Sequence, residues 1–92
     1  MSELYDNPDT RRLEMVEDGQ TVFADYRRDG RRLIIDHVEA PPSLRGTGAA
    51  GRFMTALAGH ALAQRCRIVP LCGYAAAWLH RSPEYRDLID RG

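Results

Sequence analysis

The sequence has no lysine, since all 13 of its basic residues are arginine, and it has only two cysteines, Cys66 and Cys72. The missing lysine excludes the P-loop nucleoside triphosphatases, which use one to hold the nucleotide phosphates. Two cysteines are too few for a disulfide framework or a four-ligand zinc site, so we expect a reducing, cytoplasmic location and no bound metal. The uncharged run at residues 68–79 contains Pro70 and Gly73 and is too short to span a bilayer, which predicts neither secretion nor membrane insertion.

Charge is balanced overall, with 13 basic and 13 acidic residues, so no net field indicates a nucleic-acid or membrane partner. The distribution is uneven, because no carboxylate occurs between Glu39 and Glu84. Five arginines fall in this interval: Arg45, Arg52, Arg65, Arg67 and Arg81. The interval therefore suits an anionic ligand, although chance produces such a bias easily in a small chain. Basic and aromatic residues do not interleave there, so a nucleic-acid or protein-interaction module ranks last among the functions considered.

Length and composition predict one independently folding domain. A chain of 92 residues has no room for a second core, and its 43% hydrophobic and 28% charged residues are typical of soluble globular proteins. Residues 1–10 are polar and contain Pro8, which predicts a flexible leader ahead of a single domain at residues 11–92.

Three short strands are predicted in the first half of the chain. Residues 11–17, 21–28 and 33–39 show alternating or β-branched and aromatic side chains. Asp18-Gly19 and Asp29-Gly30 separate the strands, and Asp-Gly is typical of tight hairpins. The prediction is an antiparallel three-strand meander.

A helix and a further strand follow the meander. Pro41-Pro42 ends the third strand, because proline cannot donate to a sheet ladder. Apolar residues recur every three or four positions in residues 49–64, which predicts an amphipathic helix, and residues 67–71 form a short apolar strand. Strand, helix and strand make a βαβ crossover, so the last strand should run parallel to the third. With a C-terminal helix at residues 73–81 and a last helical turn at 84–90, the fold class is mixed, α+β or α/β.

A glycine loop joins the strongest strand to the strongest helix. We use this name for residues 45–51, which read Arg45-Gly46-Thr47-Gly48-Ala49-Ala50-Gly51. Glycine permits positive φ and a close approach to a ligand, and the first N–H groups of the helix are free to bind an anion of phosphate size. The alternative is a plain connection in which Thr47 caps the helix.

The same loop satisfies the dinucleotide pattern G-x-G-x-x-G, but its context differs from a dinucleotide site. A Rossmann unit has its first glycine directly after the strand and an acid about twenty residues further on. Here residues 40–45 intervene, no acid occurs near residues 67–71, and an antiparallel meander precedes the loop. A dinucleotide ligand is therefore disfavoured.

Read as R-x-x-G-x-A, from Arg45 through Gly48 to Ala50, the loop resembles the pyrophosphate loop of the GNAT acetyltransferase superfamily. Further segments resemble a compact single-domain subfamily of GNAT-like N-acetyltransferases: His37-x-Glu39, Pro41-Pro42-x-Leu44-Arg45-Gly46, Pro70-Leu71-Cys72, and Pro83-Glu84-Tyr85 followed by Leu88. The resemblance covers residues 35–88. Two positions depart from the subfamily pattern, with Ala40 in place of valine and Ser82 in place of histidine.

This resemblance implies a GNAT-like fold and an acetyl-CoA (coenzyme A) site. Its pyrophosphate would be held by backbone N–H groups of the loop, from Arg45, Gly46, Thr47, Gly48, Ala49 and Ala50. The two parallel strands would splay at their C-terminal ends, with the thioester between Glu39 and Leu71-Cys72. Backbone N–H groups from Val38 to Ala40 would then polarise its carbonyl.

Five side chains are candidates for the chemistry. His37 and Glu39 are two apart on one strand and share a face, so either can take a proton from an acceptor amine; the alternative is a solvent-facing pair. Cys72 precedes a helix start and is either a nucleophile that carries the acyl group or a buried, inert thiol. Tyr74 and Tyr85 are each candidates to protonate the departing thiolate, or are packing residues with a bonded hydroxyl.

The function predicted from this set is transfer of an acetyl group from acetyl-CoA to an amine of a small molecule or protein. The alternative is a non-catalytic module that binds coenzyme A or acyl-CoA and regulates another protein. The protein is expected to be a monomer or a homodimer, because a small sheet with an unpaired edge can pair with a second copy.

Overall fold

The computed structural model describes residues 3–90, which form one sheet, two helices and two single 3-10 turns. The strands are β1 (Tyr5–Asn7), β2 (Arg12–Glu17), β3 (Gln20–Asp29), β4 (Arg32–Glu39) and β5 (Arg67–Pro70). The helices are α1 (Ala49–Ala63) and α2 (Gly73–His80), and the 3-10 turns are Pro42–Leu44 and Arg86–Leu88.

The sheet has the strand order β1-β2-β3-β4-β5. Neighbours from β1 to β4 are antiparallel, and β4 pairs with β5 in parallel after the chain has crossed over through α1. The meander, the βαβ crossover and the mixed fold class predicted from the sequence are therefore confirmed.

Tight turns set the register of the meander. Asp18 and Gly19 form the two-residue loop between β2 and β3 with φ values of 50° and 73°, the pair of positive values that a type I′ hairpin requires. The second turn is shifted by one residue from the prediction, because Asp29 still pairs with Arg32 and the loop is Gly30-Arg31. Gly30 has a φ of 61°, which the first position of a type II′ turn requires.

Part of the segment expected to be a flexible leader is instead a strand. Tyr5–Asn7 pairs with β2, with Asp6 opposite Leu13, and the hydroxyl of Tyr26 donates to the carboxylate of Asp6. This strand has no apolar pattern of its own. It is a strand because the neighbouring, longer β2 supplies its hydrogen bonds. The leader prediction is corrected for these residues, and residues 1 and 2 lie outside the described part of the chain.

One apolar core joins the sheet to both helices. Leu33 and Ile35 of β4, Phe53 and Leu57 of α1, and Leu79 of α2 are all fully buried in it. The helices contact each other as well as the sheet, so both cover the same face. No helix within residues 3–90 is long and apolar enough to cross a membrane.

Candidate functional site

β4 and β5 separate at one end of the sheet. Their pairing ends at Ile35 and Pro70, whereas β4 continues to Glu39. The N–H groups of Leu71 and Cys72 both donate to the carbonyl oxygen of Ile35, at 2.9 and 3.3 Å. Within the described residues, no strand pairs with β4 on the β5 side beyond this point, so the two strands leave an opening between them.

A β-bulge in β4 lies where the strands separate. Asp25 pairs with His37 and Tyr26 pairs with Ile35, so Asp36 is an extra residue on β4. Its carboxylate accepts two hydrogen bonds from Arg27, both of 2.8 Å. A bulge bends the strand that carries it, and this bulge is placed to direct the end of β4 away from β5.

The glycine loop leads into α1 through two residues in left-handed conformation. Gly46 and Gly48 have φ values of 79° and 84°, and Gly48, not Thr47, is the N-cap of α1. The hydroxyl of Thr47 instead donates to the carbonyl oxygen of Leu44 and accepts from the N–H of Ala49 at 3.3 Å. The positive φ values explain why glycine is needed at both positions.

The loop leaves several backbone donors without an acceptor. Within residues 3–90, no acceptor is found for four N–H groups, those of Gly46, Gly48, Ala50 and Gly51. The N–H groups of Arg45 and Thr47, which the resemblance assigned to a pyrophosphate, donate instead to the carbonyl oxygens of Pro42 and Leu44, at 3.1 and 3.2 Å. Gly51 is an additional donor that sequence reasoning missed. Free N–H groups at a helix N-terminus are suited to an anion.

A cavity of about 270 Å³ connects the loop with the end of β4. Its lining residues are His37, Val38, Glu39, Ala40, Arg45, Ala50 and Tyr74. All of them are candidates named from the sequence, and they come from β4, the glycine loop and α2. Two larger clefts of about 560 and 590 Å³ lie elsewhere, and neither contains the strand end or the loop glycines.

Three charged or titratable side chains at the strand end and the loop line this cavity: His37, Glu39 and Arg45. Nε2 of His37 lies 3.1 Å from Oε1 of Glu39, and both side chains are exposed. Arg45 is exposed and forms no ion pair within residues 3–90. The site thus combines two groups that can accept a proton with a cation available to a phosphate.

The structure separates the two tyrosine candidates. Tyr74 lines the cavity with 40% of its surface exposed. Partial burial raises the pKa of its phenol above 10.0, an effect that Arg81 opposes and Cys72 supports. Tyr85 lies outside the lining and stacks on Trp78, with ring centroids 6.2 Å apart and planes at 21°. Of the two tyrosines, Tyr74 is therefore the one that lines this cavity.

Cys72 lies at the N-cap of α2, half-buried against the core and outside the cavity lining. Cys66 is buried and accepts a hydrogen bond of 3.3 Å from Arg28, away from the strand end. Residues 3–90 contain no group of three or more side chains arranged to hold a metal ion. The side chains that meet at the cavity are suited to acid–base chemistry on a bound organic substrate.

A comparison with known protein families agrees with this geometry. The family model described as GCN5-related N-acetyltransferase matches residues 12–88, which include β4, the glycine loop, β5 and α2. The match covers most of the 92-residue chain. The chain therefore belongs to the GCN5-related N-acetyltransferase family.

Proposed function

We propose that this protein binds acetyl-CoA and transfers the acetyl group to an amine of a small molecule or protein. One observation carries the proposal: the cavity brings His37 and Glu39 at the end of β4 next to Arg45 and Ala50 of the glycine loop. Acetyl-CoA bound by its phosphates at the loop would thereby have its thioester close to His37 and Glu39, which can accept protons.

The loop supplies the proposed binding site for the pyrophosphate. Gly46, Gly48, Ala50 and Gly51 offer N–H groups that have no acceptor within residues 3–90. Arg45 lines the cavity together with Ala50 and adds a positive charge there. The pantetheine arm would follow the unpaired edge of β4 and form the main-chain hydrogen bonds that β5 does not. Holding the thioester in this way contributes to catalysis chiefly by position.

The proposed reaction is a direct transfer. The amine nitrogen attacks the thioester carbon, and a backbone N–H between Val38 and Ala40 stabilises the developing oxyanion. Glu39, or His37 beside it, accepts the proton lost by the amine. The carbon–sulfur bond then breaks, and the coenzyme A thiolate takes a proton from Tyr74. Because Cys72 lies outside the cavity lining, direct transfer is preferred to an acyl-cysteine intermediate.

The compartment and the oligomeric state are also parts of the proposal. Both cysteines are free thiols, which supports the expected cytoplasmic location. A monomer or a homodimer is consistent with a sheet whose edge strands β1 and β5 have three and four residues.

Titration calorimetry with acetyl-CoA, coenzyme A and NADP tests the binding step. Ala50→Glu places a carboxylate in the cavity on a helical residue, so it should abolish coenzyme A binding without disturbing the fold. Ala63→Glu is the matched control, because Ala63 is exposed at the other end of α1. Selective binding of coenzyme A, lost only in Ala50→Glu, is the expected result.

The other outcomes discriminate between functions. If wild type fails to bind coenzyme A, both the acetyltransferase and the non-catalytic alternative are wrong. If it binds but transfers no acetyl group to any member of an amine panel, the regulatory binding module replaces the enzyme. If the protein binds a nucleic acid or another protein, with an affinity that falls steeply with salt and with no competition by coenzyme A, the nucleic-acid or protein-interaction module is favoured.

A further inference from the structure

Arg52 lies in the first turn of α1 and reaches back over the glycine loop. Its Nε and Nη2 donate to the two carboxylate oxygens of Glu17 at 2.9 and 2.7 Å. Its Nη1 donates to the carbonyl oxygen of Thr47 at 3.0 Å. One guanidinium thus joins the last residue of β2 to the middle of the loop.

The guanidinium also rests directly on Gly48. A Cβ built at Gly48 would lie 3.0 Å from Nη1 of Arg52, closer than side chains ordinarily pack. Gly48 needs to be glycine because of its φ of 84°, and a side chain there would also push the guanidinium of Arg52 aside by a few tenths of an ångström. A displaced Arg52 side chain would lose both this packing and its hydrogen bond to Thr47 in the loop.

The pairing occupies Arg52 and keeps Glu17 charged. Only 16% of the Glu17 side chain is exposed, against 54% for Arg52. The hydrogen bond from Arg52 lowers the pKa of the Glu17 carboxyl below its ordinary 4.5, so Glu17 is ionised at neutral pH. Arg45, by contrast, forms no ion pair within residues 3–90 and lines the cavity.

We infer that the Glu17–Arg52 pair holds the glycine loop in its binding conformation, which makes Glu17 a positioning residue for coenzyme A although it lies 35 positions from Arg52 in the sequence. The inference rests on the proposed function, because it assigns the loop to the pyrophosphate. Donors that are fixed before the ligand arrives cost no ordering entropy on binding. The end of β2 therefore contributes to a site from which it is distant in the chain.

Coenzyme A titrations of paired variants test the inference. Glu17→Gln keeps the side-chain shape but removes the charge that engages both nitrogens. It should weaken coenzyme A binding about two- to fivefold, the effect of losing one ion pair near the surface. Glu14→Gln is the matched control, since Glu14 is also half-buried on β2 and forms no ion pair within residues 3–90. Binding of acetyl-pantetheine, which lacks the pyrophosphate, should be the same in all three proteins.

Arg52→Lys separates positioning from direct contact with the phosphate. Lysine keeps the positive charge but lacks the planar fork that reaches Glu17 and Thr47 together, so the loss should equal that of Glu17→Gln. The double variant should lose no more than either single one, because both break the same contact. If Arg52 binds the phosphate directly, Glu17→Gln frees it and tightens binding, which would overturn the inference.

Amide hydrogen exchange of the ligand-free protein gives a second readout that does not depend on coenzyme A. The N–H of Thr47 donates to the carbonyl of Leu44 at 3.2 Å, so its exchange reports the order of the loop. It should exchange faster in Glu17→Gln and be unchanged in Glu14→Gln. Unchanged exchange and unchanged affinity in Glu17→Gln would reject the inference while leaving the proposed function intact. Absence of coenzyme A binding in wild type would reject both.

Discussion

At the residue scale, the two tyrosines that the sequence offered as proton donors occupy different surroundings. Tyr74 lines the cavity, whereas Tyr85 stacks on Trp78. Tyr74→Phe should lower kcat for acetyl transfer about a hundredfold and leave the affinity for acetyl-CoA unchanged, because the phenol acts only on the departing thiolate. Tyr85→Phe is the matched control and should keep kcat. A loss of kcat in Tyr85→Phe alone would reassign the proton donor.

The pH profile of acetyl transfer gives the same residue a second test. Burial raises the pKa of the Tyr74 phenol above its ordinary 10.0. The protonated form, which is the active acid, therefore persists as pH rises, and the midpoint of the alkaline loss of kcat should lie above that of an ordinary tyrosine. This alkaline decrease of kcat should be absent in Tyr74→Phe.

Individual site residues were predictable to different degrees. Gly46 and Gly48 were predictable, because both positions need a positive φ, and the sequence shows such a need directly as glycine. The hydrogen bonds of Arg45 and Thr47 inside the loop depend on the 3-10 turn at Pro42–Leu44. No local sequence pattern predicted this turn. The partner of Arg52, Glu17, is a tertiary contact between distant segments, and one sequence contains no signal for it.

At the scale of elements, the bulge in β4 lies where β4 and β5 stop pairing, and we expect it to open the site. Ile35 is buried, Asp36 and His37 are both exposed, and Val38 packs against the core. Deleting Asp36 would therefore leave the remaining residues on their present faces while removing the bend. The deletion should give a folded protein in which β4 no longer diverges and coenzyme A binding is lost, as measured by circular dichroism and calorimetry.

The control for this deletion keeps the bulge and removes only its ion pair. Asp36→Ala eliminates the two hydrogen bonds from Arg27, an exposed contact that adds little to stability. Its coenzyme A affinity should match that of wild type. If the deletion variant binds as well as Asp36→Ala does, the bulge does not form the site.

The elements themselves were largely predictable, and the exceptions have a physical cause. Asp-Gly turns and periodic apolar residues predicted four strands and two helices, with ends displaced by a residue or two. Tyr5–Asn7 was missed because its polar sequence shows no alternation and it is a strand only by pairing with β2. The bulge was missed because it is a property of the register between β3 and β4, which neither strand specifies alone.

At the scale of the whole molecule, strands and helices share one core, so we expect them to unfold together. Phe53 of α1 is fully buried, and Phe53→Ala should cost about 3–5 kcal/mol of unfolding free energy. Leu62→Ala is the matched truncation on the same helix, and it should cost less than about 0.5 kcal/mol because Leu62 is 57% exposed.

Urea unfolding followed by two probes distinguishes one cooperative unit from two. The single tryptophan, Trp78, reports on α2 through its fluorescence, whereas far-ultraviolet circular dichroism reports on the sheet and on α1. The two transitions should coincide in wild type and shift together to lower urea in Phe53→Ala. Because Tyr74 lies on α2 and Glu39 on β4, a tryptophan transition that precedes the dichroism transition would mean that the cavity can come apart without unfolding the sheet. Coincident transitions would instead show that the cavity has the stability of the core itself.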